Sequence, residues 1–326
     1  MKKIIIALIL CMSSVSMFSQ FNIGSIFEAG MHDAKALADP YLKPYGEMLG
    51  TSLNTGWYTS AKTHKLLGFD ITFTGSYTKA PSSAKTFDVN DVNLESFSLS
   101  PNSQTSIAPT LAGKSSERPI LRHNDDITPG GVSDFTLPNG SGTDYMPLPM
   151  VTVGVGLPYG LEIKGRFSPE LKYGDVGKLS LWGLGVQKEV KDYIPGIKHV
   201  PFLNMSVLAA YTNFSGSASM NNVTDVVTDG EIEIGASAYT TRLLVGANFP
   251  VIAFFVGAGY GNASSDFDIS GEFANSEMEP FTLSYSTGAL DFNAGLRIRL
   301  GVIGLHADYT VGDYSAITAG IGINFR

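Results

Sequence analysis

From Gly56 to its C-terminus the chain repeats one pattern: segments of about ten residues in which apolar and polar side chains alternate, separated by turn residues. A period of two sends successive side chains to opposite faces of an extended strand, so the pattern commits the chain to β structure. It is clearest in the last three segments. There Phe292, Ala294, Leu296 and Ile298, then Ile303, Leu305, Ala307 and Tyr309, then Ile317, Ala319, Ile321, Ile323 and Phe325 are apolar. Asn293, Arg297, Arg299, His306, Asp308, Thr310, Thr318 and Asn324 take the alternate places. Candidate strands fall at 49–58, 66–78, 86–96, 147–157, 160–168, 177–189, 203–215, 232–248, 251–266, 285–299, 302–311 and 315–326.

Alternation alone does not say which face meets water, because a soluble sandwich turns its apolar face inward and a membrane barrel turns it outward. Loop lengths decide. With both ends of the sheet on one side, the far-side connections are 59–65, 97–146, 169–176, 216–231, 267–284 and 312–314, most of them long and polar. The near-side connections are 79–85, Pro158-Tyr159, 190–202, Phe249-Pro250 and Leu300-Gly301, most of them short. Outer-membrane barrels sort their loops this way and have an even strand number, whereas a sandwich has no reason to. The expected fold is all-β, an antiparallel transmembrane β-barrel of about 12 strands, with 14 as the upper alternative, behind a short N-terminal helix.

Composition agrees. Charged residues make up 16% of the 326, against about 25% in an ordinary soluble domain, and glycine is abundant at 36. A mean hydropathy of +0.10 is too low for a bundle of membrane helices. Leu243 to Asn262 is long enough to cross as a helix, but Asn248, Pro250 and four glycines interrupt it, so it reads as two strands joined by Asn248-Phe249-Pro250.

Residues 1–19 read as a cleaved leader: Met1-Lys2-Lys3 is a basic start, Ile4 to Met12 a short apolar run, and Ser13 to Ser19 a small, polar stretch before Gln20. The only cysteine, Cys11, lies within it, so the processed chain has no thiol for disulfides, thiolate catalysis or Cys-based metal sites. Processing leaves 20 basic against 30 acidic residues, a net charge of −10 that speaks against nucleic-acid partners. The expected location is the outer membrane of a Gram-negative bacterium.

Two segments stand outside the wall. Within 20–48, Phe27, Met31, Ala34 and Leu37 recur at helical spacing until Pro40, which places a short amphipathic helix before the barrel of 49–326. It either packs on the barrel base or plugs the lumen. The 97–146 connection is rich in Ser, Thr, Pro, Asn and Gly, and is an exposed outer loop, an inward-folded constriction, or both.

Local motifs carry little chemistry. Ala112-Gly113-Lys114-Ser115 has Ala108 where a phosphate loop needs glycine. Gly257, Gly259 and Gly261 are spaced like a dinucleotide fingerprint but alternate within a strand, where they leave room on one barrel face. Asp88 to Asn93 begins like a calcium loop and then lacks its ligand and glycine positions. His123-Asn124-Asp125-Asp126 is an acidic turn that could hold a divalent ion, and His32, His64, His199 and His306 share no ligand spacing. No metal or cofactor is expected. The strand charges say more: Glu162, Lys164 and Arg166 share one face, Arg297 and Arg299 another, His306 and Asp308 a third. Arg or Lys facing lipid at the bilayer midplane costs roughly 2 to 4 kcal/mol, so these seven residues are expected to line the lumen. They form either a mutually paired filling or a polar constriction on a transport path.

Tyr41-Leu42-Lys43-Pro44, Asn54-Thr55-Gly56-Trp57-Tyr58 with Ala61-Lys62-Thr63-His64, Gly68-Phe69-Asp70, and Gly154-Val155-Gly156-Leu157-Pro158-Tyr159-Gly160 with Trp182-Gly183-Leu184-Gly185-Val186 carry a resemblance over most of the processed chain. Together they resemble a family of uncharacterised outer-membrane barrels from Bacteroidota. More distantly, a helical segment ahead of a barrel is similar to the long-chain fatty-acid transport family, whose plug and side opening pass hydrophobic molecules. The inner-face glycines, which leave space, and the helix ahead of the barrel lead to the expectation of a passive channel for small hydrophobic molecules, without cofactor or enzymatic activity. Outer-membrane lipid and the barrel-assembly machinery are the expected partners, the latter addressed by Phe325 ahead of Arg326. A structural or adhesive surface protein anchored by a closed barrel is the alternative, and a barrel-embedded hydrolase using His306 is the third reading.

Overall fold

The computed structural model describes residues 26, 31–124, 134–172, 177–219, 227–273, 276–277 and 280–325. Among these, ten antiparallel strands close into a barrel: β1 (Phe69–Lys79), β2 (Tyr145–Leu157), β3 (Leu161–Lys172), β4 (Gly177–Glu189), β5 (Leu203–Ser219), β6 (Val227–Asn248), β7 (Ile252–Phe273), β8 (Phe281–Leu300), β9 (Ile303–Val311) and β10 (Ser315–Phe325). Each pairs with its neighbours in sequence, and β10 returns to β1 in register from Phe69↔Phe325 to Lys79↔Ser315. Closure leaves no edge along this seam, the condition for carrying β backbone across a bilayer.

The alternation resolves as expected for lipid outside. β9 exposes Ile303, Leu305, Tyr309 and Val311 and buries His306, Asp308 and Thr310 between them. Around the wall, Phe69, Ile71, Ile163, Trp182, Leu184, Tyr239, Phe254, Phe292, Ile317 and Ile321 face out, while Thr72, Thr74, Ser76, Thr212, Thr240 and Thr318 are buried within. An outer belt of that extent and apolarity is suited to hydrocarbon, not water. The short connections are 158–160, 249–251 and 301–302 with the longer 190–202. The other end carries 80–144, 173–176, 220–226, 274–280 and 312–314.

The wall has ten strands, not about 12, because two expected strands do something else. Residues 49–54 end a helix, α1 (Met31–Asn54), and 86–96, of which only Thr86–Asp88 is strand, belongs to the 80–144 connection. The periodicity of α1 explains the first miss: Leu37, Tyr41, Tyr45, Leu49 and Leu53 are all buried at a spacing of four, one stripe of a helix. Phe27 lies outside the described residues, as do the leader 1–19 and the side chain of Met31; Ala34 and Leu37 are fully buried.

α1 also runs through Pro40, where the sequence pattern ends it, and through Pro44. Each interior proline removes a helix hydrogen bond and costs about 3 kcal/mol in an isolated helix. This helix is not isolated. It runs down the lumen in contact with β1, β2, β5, β6, β7, β8 and β10. Donors from its surroundings bond its carbonyls: Tyr285 Oη to Asp39 O at 3.0 Å, the Leu111 N–H to Tyr41 O at 2.9 Å and Ser265 Oγ to Gly46 O at 3.4 Å.

Strands β6, β7 and β8 have 22, 22 and 20 residues against 9 to 13 in β1–β4, β9 and β10. Since about 9 to 11 tilted residues cross a bilayer, one side of the barrel stands well above the other at the long-loop end. The 80–144 connection fills that step as a cap. Phe97–Leu99 pairs with Ile120–His123, which pairs with Phe135–Thr136, and Thr86–Asp88 pairs with Ile107–Pro109. Its Phe97, Leu111, Leu121 and Leu137 share one apolar core with α1 and with Ile232, Phe267 and Leu283 of the tall wall.

The cap is tied to α1 through Asp33. Its buried carboxylate accepts the backbone N–H groups of Glu95, Ser96 and Phe97 at 2.8, 2.9 and 2.9 Å. Burial alone would raise its pKa; these donors, with His32, outweigh that and hold it below the ordinary value. Asp33→Asn is expected to cost about 1 to 3 kcal/mol and to speed amide exchange at Glu95, Ser96 and Phe97. Because the folded carboxyl titrates below its unfolded value near 3.9, its contribution is whole above that pH and is lost as pH falls through the folded value. Unchanged exchange at these amides in acid would contradict the assignment.

Candidate functional site in the barrel lumen

Among the described residues, the contents of the lumen change from apolar to ionic along α1. At the level of the helix C-terminus two wall arginines converge. From β3, Arg166 donates to Leu53 O, to Thr55 O at 2.9 Å and to Thr212 Oγ1 at 3.1 Å, and its guanidinium lies 3.9 Å over the Trp57 ring. From β6, Arg242 donates to Asn54 O at 3.3 Å and grips both oxygens of Asp291, with Nη2 to Oδ2 at 2.8 Å. The last carbonyls of a helix have no intrahelical partner and carry the negative end of its dipole, so two buried guanidinium groups satisfy both needs.

Glycines let the segment after α1 fit. A Cβ on Gly183 or Gly185 would lie 3.0 or 3.1 Å from the Trp57 ring, and one on Gly261 would lie 2.8 Å from Asn54 Nδ2. The room that Gly257, Gly259 and Gly261 leave on the inner face is therefore taken in part by the plug: Tyr58 sits against Gly257, and its hydroxyl donates to Asn293 Oδ1 at 2.6 Å. Asn293 in turn donates to Asp308 Oδ1 at 3.3 Å.

Below this lies a second ionic group. The Glu162 carboxylate accepts the His64 backbone N–H at 2.8 Å, faces His64 Nδ1 at 3.0 Å and pairs with Lys164, while Asp70 Oδ1 stands 3.7 Å from the same ring nitrogen. Ligand atoms of His64, Asp70 and Glu162 all fall within 4.8 Å of one another, which sequence spacing could not reveal across three elements. Both Glu162 oxygens are already engaged by Lys164 and His64, so the arrangement is an ion-pair network joining the 55–68 segment to the wall.

Of the seven residues read as lumenal, Glu162, Lys164 and Arg166 lie buried against the plug, and His306 and Asp308 are buried on the inner face of β9. Arg297 is half-buried near Thr59 and Asn324, and Arg299 is exposed at the rim. His306 Nε2 is buried without a hydrogen-bond partner among the described residues. Asp88 caps the short turn Val89–Asp91 by accepting the Asn90 N–H at 3.0 Å. Asp125 and Asp126 lie outside the described residues. Arg242 is the functional group sequence reasoning missed. The available signal was its isolation: it is the sole Lys or Arg between Lys198 and Arg297, and it shares an alternate position with Thr240.

Arg166→Gln keeps a donor but removes the charge from the helix end, and is expected to lower unfolding stability by about 3 kcal/mol. Urea unfolding in detergent, followed by Trp57 fluorescence with Trp182 replaced by Phe, reads this directly. An unchanged midpoint would mean that the helix end is held by other groups.

A family model described as "Family of unknown function (DUF6588)" matches residues 1–325. No curated protein matches the chain. Among solved structures, the translocator domain of the autotransporter NalP from Neisseria meningitidis is similar over 87% of this chain and 96% of its own, at 10% identity and a TM-score of 0.39. The outer membrane protease OmpT from Escherichia coli is similar over 82% and 100%, at 8% identity and 0.37. The toluene transporter TbuX from Ralstonia pickettii is similar over 90% and 93%, at 8% identity and 0.24. The chain belongs to the family of unknown function DUF6588.

Proposed function

We propose that this chain is a Gram-negative outer-membrane β-barrel with a closed lumen, a structural or adhesive surface protein that holds its 80–144 cap at the outer face. One observation carries the reading: α1 runs down the lumen and its lower end is clamped by Arg166 and Arg242, so the barrel interior is spent on holding the helix and cap. The apolar belt engages outer-membrane lipid. The outward Phe325 of β10 stacks on Phe69 across the seam with ring centroids 5.7 Å apart, adding to that belt.

A second reading, a passive channel, is favoured by one feature. β9 pairs with β8 only from Phe292 to Leu300, and just above that point a cavity of about 320 Å³ lies between α1 and β8, bordered by Glu47, Thr51, Thr287, Asp291 and Tyr314. The expected channel for small hydrophobic molecules would use this side route, with α1 shifting to open it. Its wall of hydroxyls and carboxylates favours solutes that form hydrogen bonds.

Planar-bilayer conductance separates the readings. The unaltered chain is expected to give no stable steps, and the Arg166→Gln, Arg242→Gln double variant to give them as the helix end loosens. Stable steps from the unaltered chain would overturn the closed-lumen reading in favour of the channel. Replacing most of 80–144 with a short turn is expected to abolish binding to cell-surface partners while the barrel still folds.

A further inference from the structure

At the short-turn end the barrel has a mouth that the helix clamp does not use. A cavity of about 370 Å³ opens there between 62–65, the β6–β7 turn and the ends of β8 and β10. Lys62, Lys65, Arg297 and Arg299 all border it. The neighbouring carboxylates make no direct ion pair with these cations: Glu162 pairs with Lys164 and faces His64, Asp70 accepts from the Thr72 hydroxyl at 2.9 Å, and Glu189 accepts from the Thr63 hydroxyl at 3.3 Å. Arg297 meets only neutral oxygens at long range, Thr59 Oγ1 at 3.4 Å and Asn324 Oδ1 at 3.5 Å. Among the described residues no ion pair is formed by any of the four cations.

In a chain of net charge −8, four cations gathered around one concavity without a directly paired carboxylate among the described residues repel one another, and an anion among them relieves that repulsion. We infer that this mouth binds a phosphate-class anion. Two guanidinium forks and two ammonium groups, with the Asn248 amide beside them, offer many donors to a ligand with several oxygens, and Arg forks suit phosphate geometry. Phe249 of the same rim is exposed and stacks on Phe202 with centroids 5.8 Å apart, an aromatic pair where the girdle of a membrane barrel runs. The phosphate can therefore arrive free from the aqueous side or as the headgroup of an adjoining phospholipid, and both present the same chemistry.

The test uses the full chain in a zwitterionic detergent. Inorganic phosphate is titrated by calorimetry, and in parallel the chain is placed in nanodiscs of phosphatidylcholine with or without phosphatidylglycerol, with co-purifying lipid read by native mass spectrometry. Saturable phosphate binding, weakened at least about tenfold by Arg297→Gln with Arg299→Gln and unchanged by Lys114→Gln in the cap, is the expected result for a free anion. Selective retention of phosphatidylglycerol, lost in the same double variant, assigns the site to a headgroup. Lys62→Gln with Lys65→Gln, at exposed positions, repeats the test should the half-buried Arg297 prove necessary for folding. Absence of both binding signals, or binding that neither double variant weakens, overturns the inference.

Discussion

The end of a helix buried inside a barrel has neither water nor a following turn to satisfy its last carbonyls, and the cost of leaving them bare in a dry interior is several kcal/mol. Arg166 and Arg242 resolve this, and the helix resolves their burial in return. Arg242 has Asp291 for a counter-charge, whereas Arg166 has carbonyls, a hydroxyl and the face of Trp57. Neither side of the exchange is stable alone in that lumen. The small residues opposite Trp57, the tall wall behind the upper helix and the cap seated on both are arranged around a helix fixed at this depth.

Polarity within the barrel follows from the same arrangement. At the upper end the tall strands, α1 and the cap bring apolar faces together, as in a soluble domain with one sheet in a bilayer. Lower down, where the wall is fully surrounded by lipid, the inner face has the hydroxyls, amides and charges that lipid would reject. The lumen thus behaves as a protein core with two compositions, and the change between them falls near the helix C-terminus.

Much of the wall was legible in the sequence because alternation over about ten residues has few competing explanations. The strand expected at 177–189 coincides with the one observed, and the turn at Phe249-Pro250 falls inside an uncharged run of about 20 residues that is long enough for a membrane helix. The helix was legible only in part. Pro40 is a sound stop signal for a helix in water, but the packing of α1 against seven wall strands and the buried stripe of Leu37, Tyr41, Tyr45, Leu49 and Leu53 carry the helix past it, and local rules cannot anticipate that. Inner-face glycines signalled room without saying what occupies it, since Trp57, Tyr58 and Asn54 reach them from a different part of the chain. His64 with Asp70 and Glu162 was invisible for the same reason.

The direction of α1 constrains the order of assembly. The helix descends from the long-loop end, turns through 55–68 and returns upward as β1, which is itself one side of the seam with β10. A ring zipped along that seam first would leave a 24-residue helix to be driven into a closed cylinder past arginines already facing inward. The productive sequence places α1 against the inner face of the open sheet before the first and last strands meet. Closing the seam last spares the helix that passage, so the topology favours an open sheet that receives α1 before it becomes a cylinder.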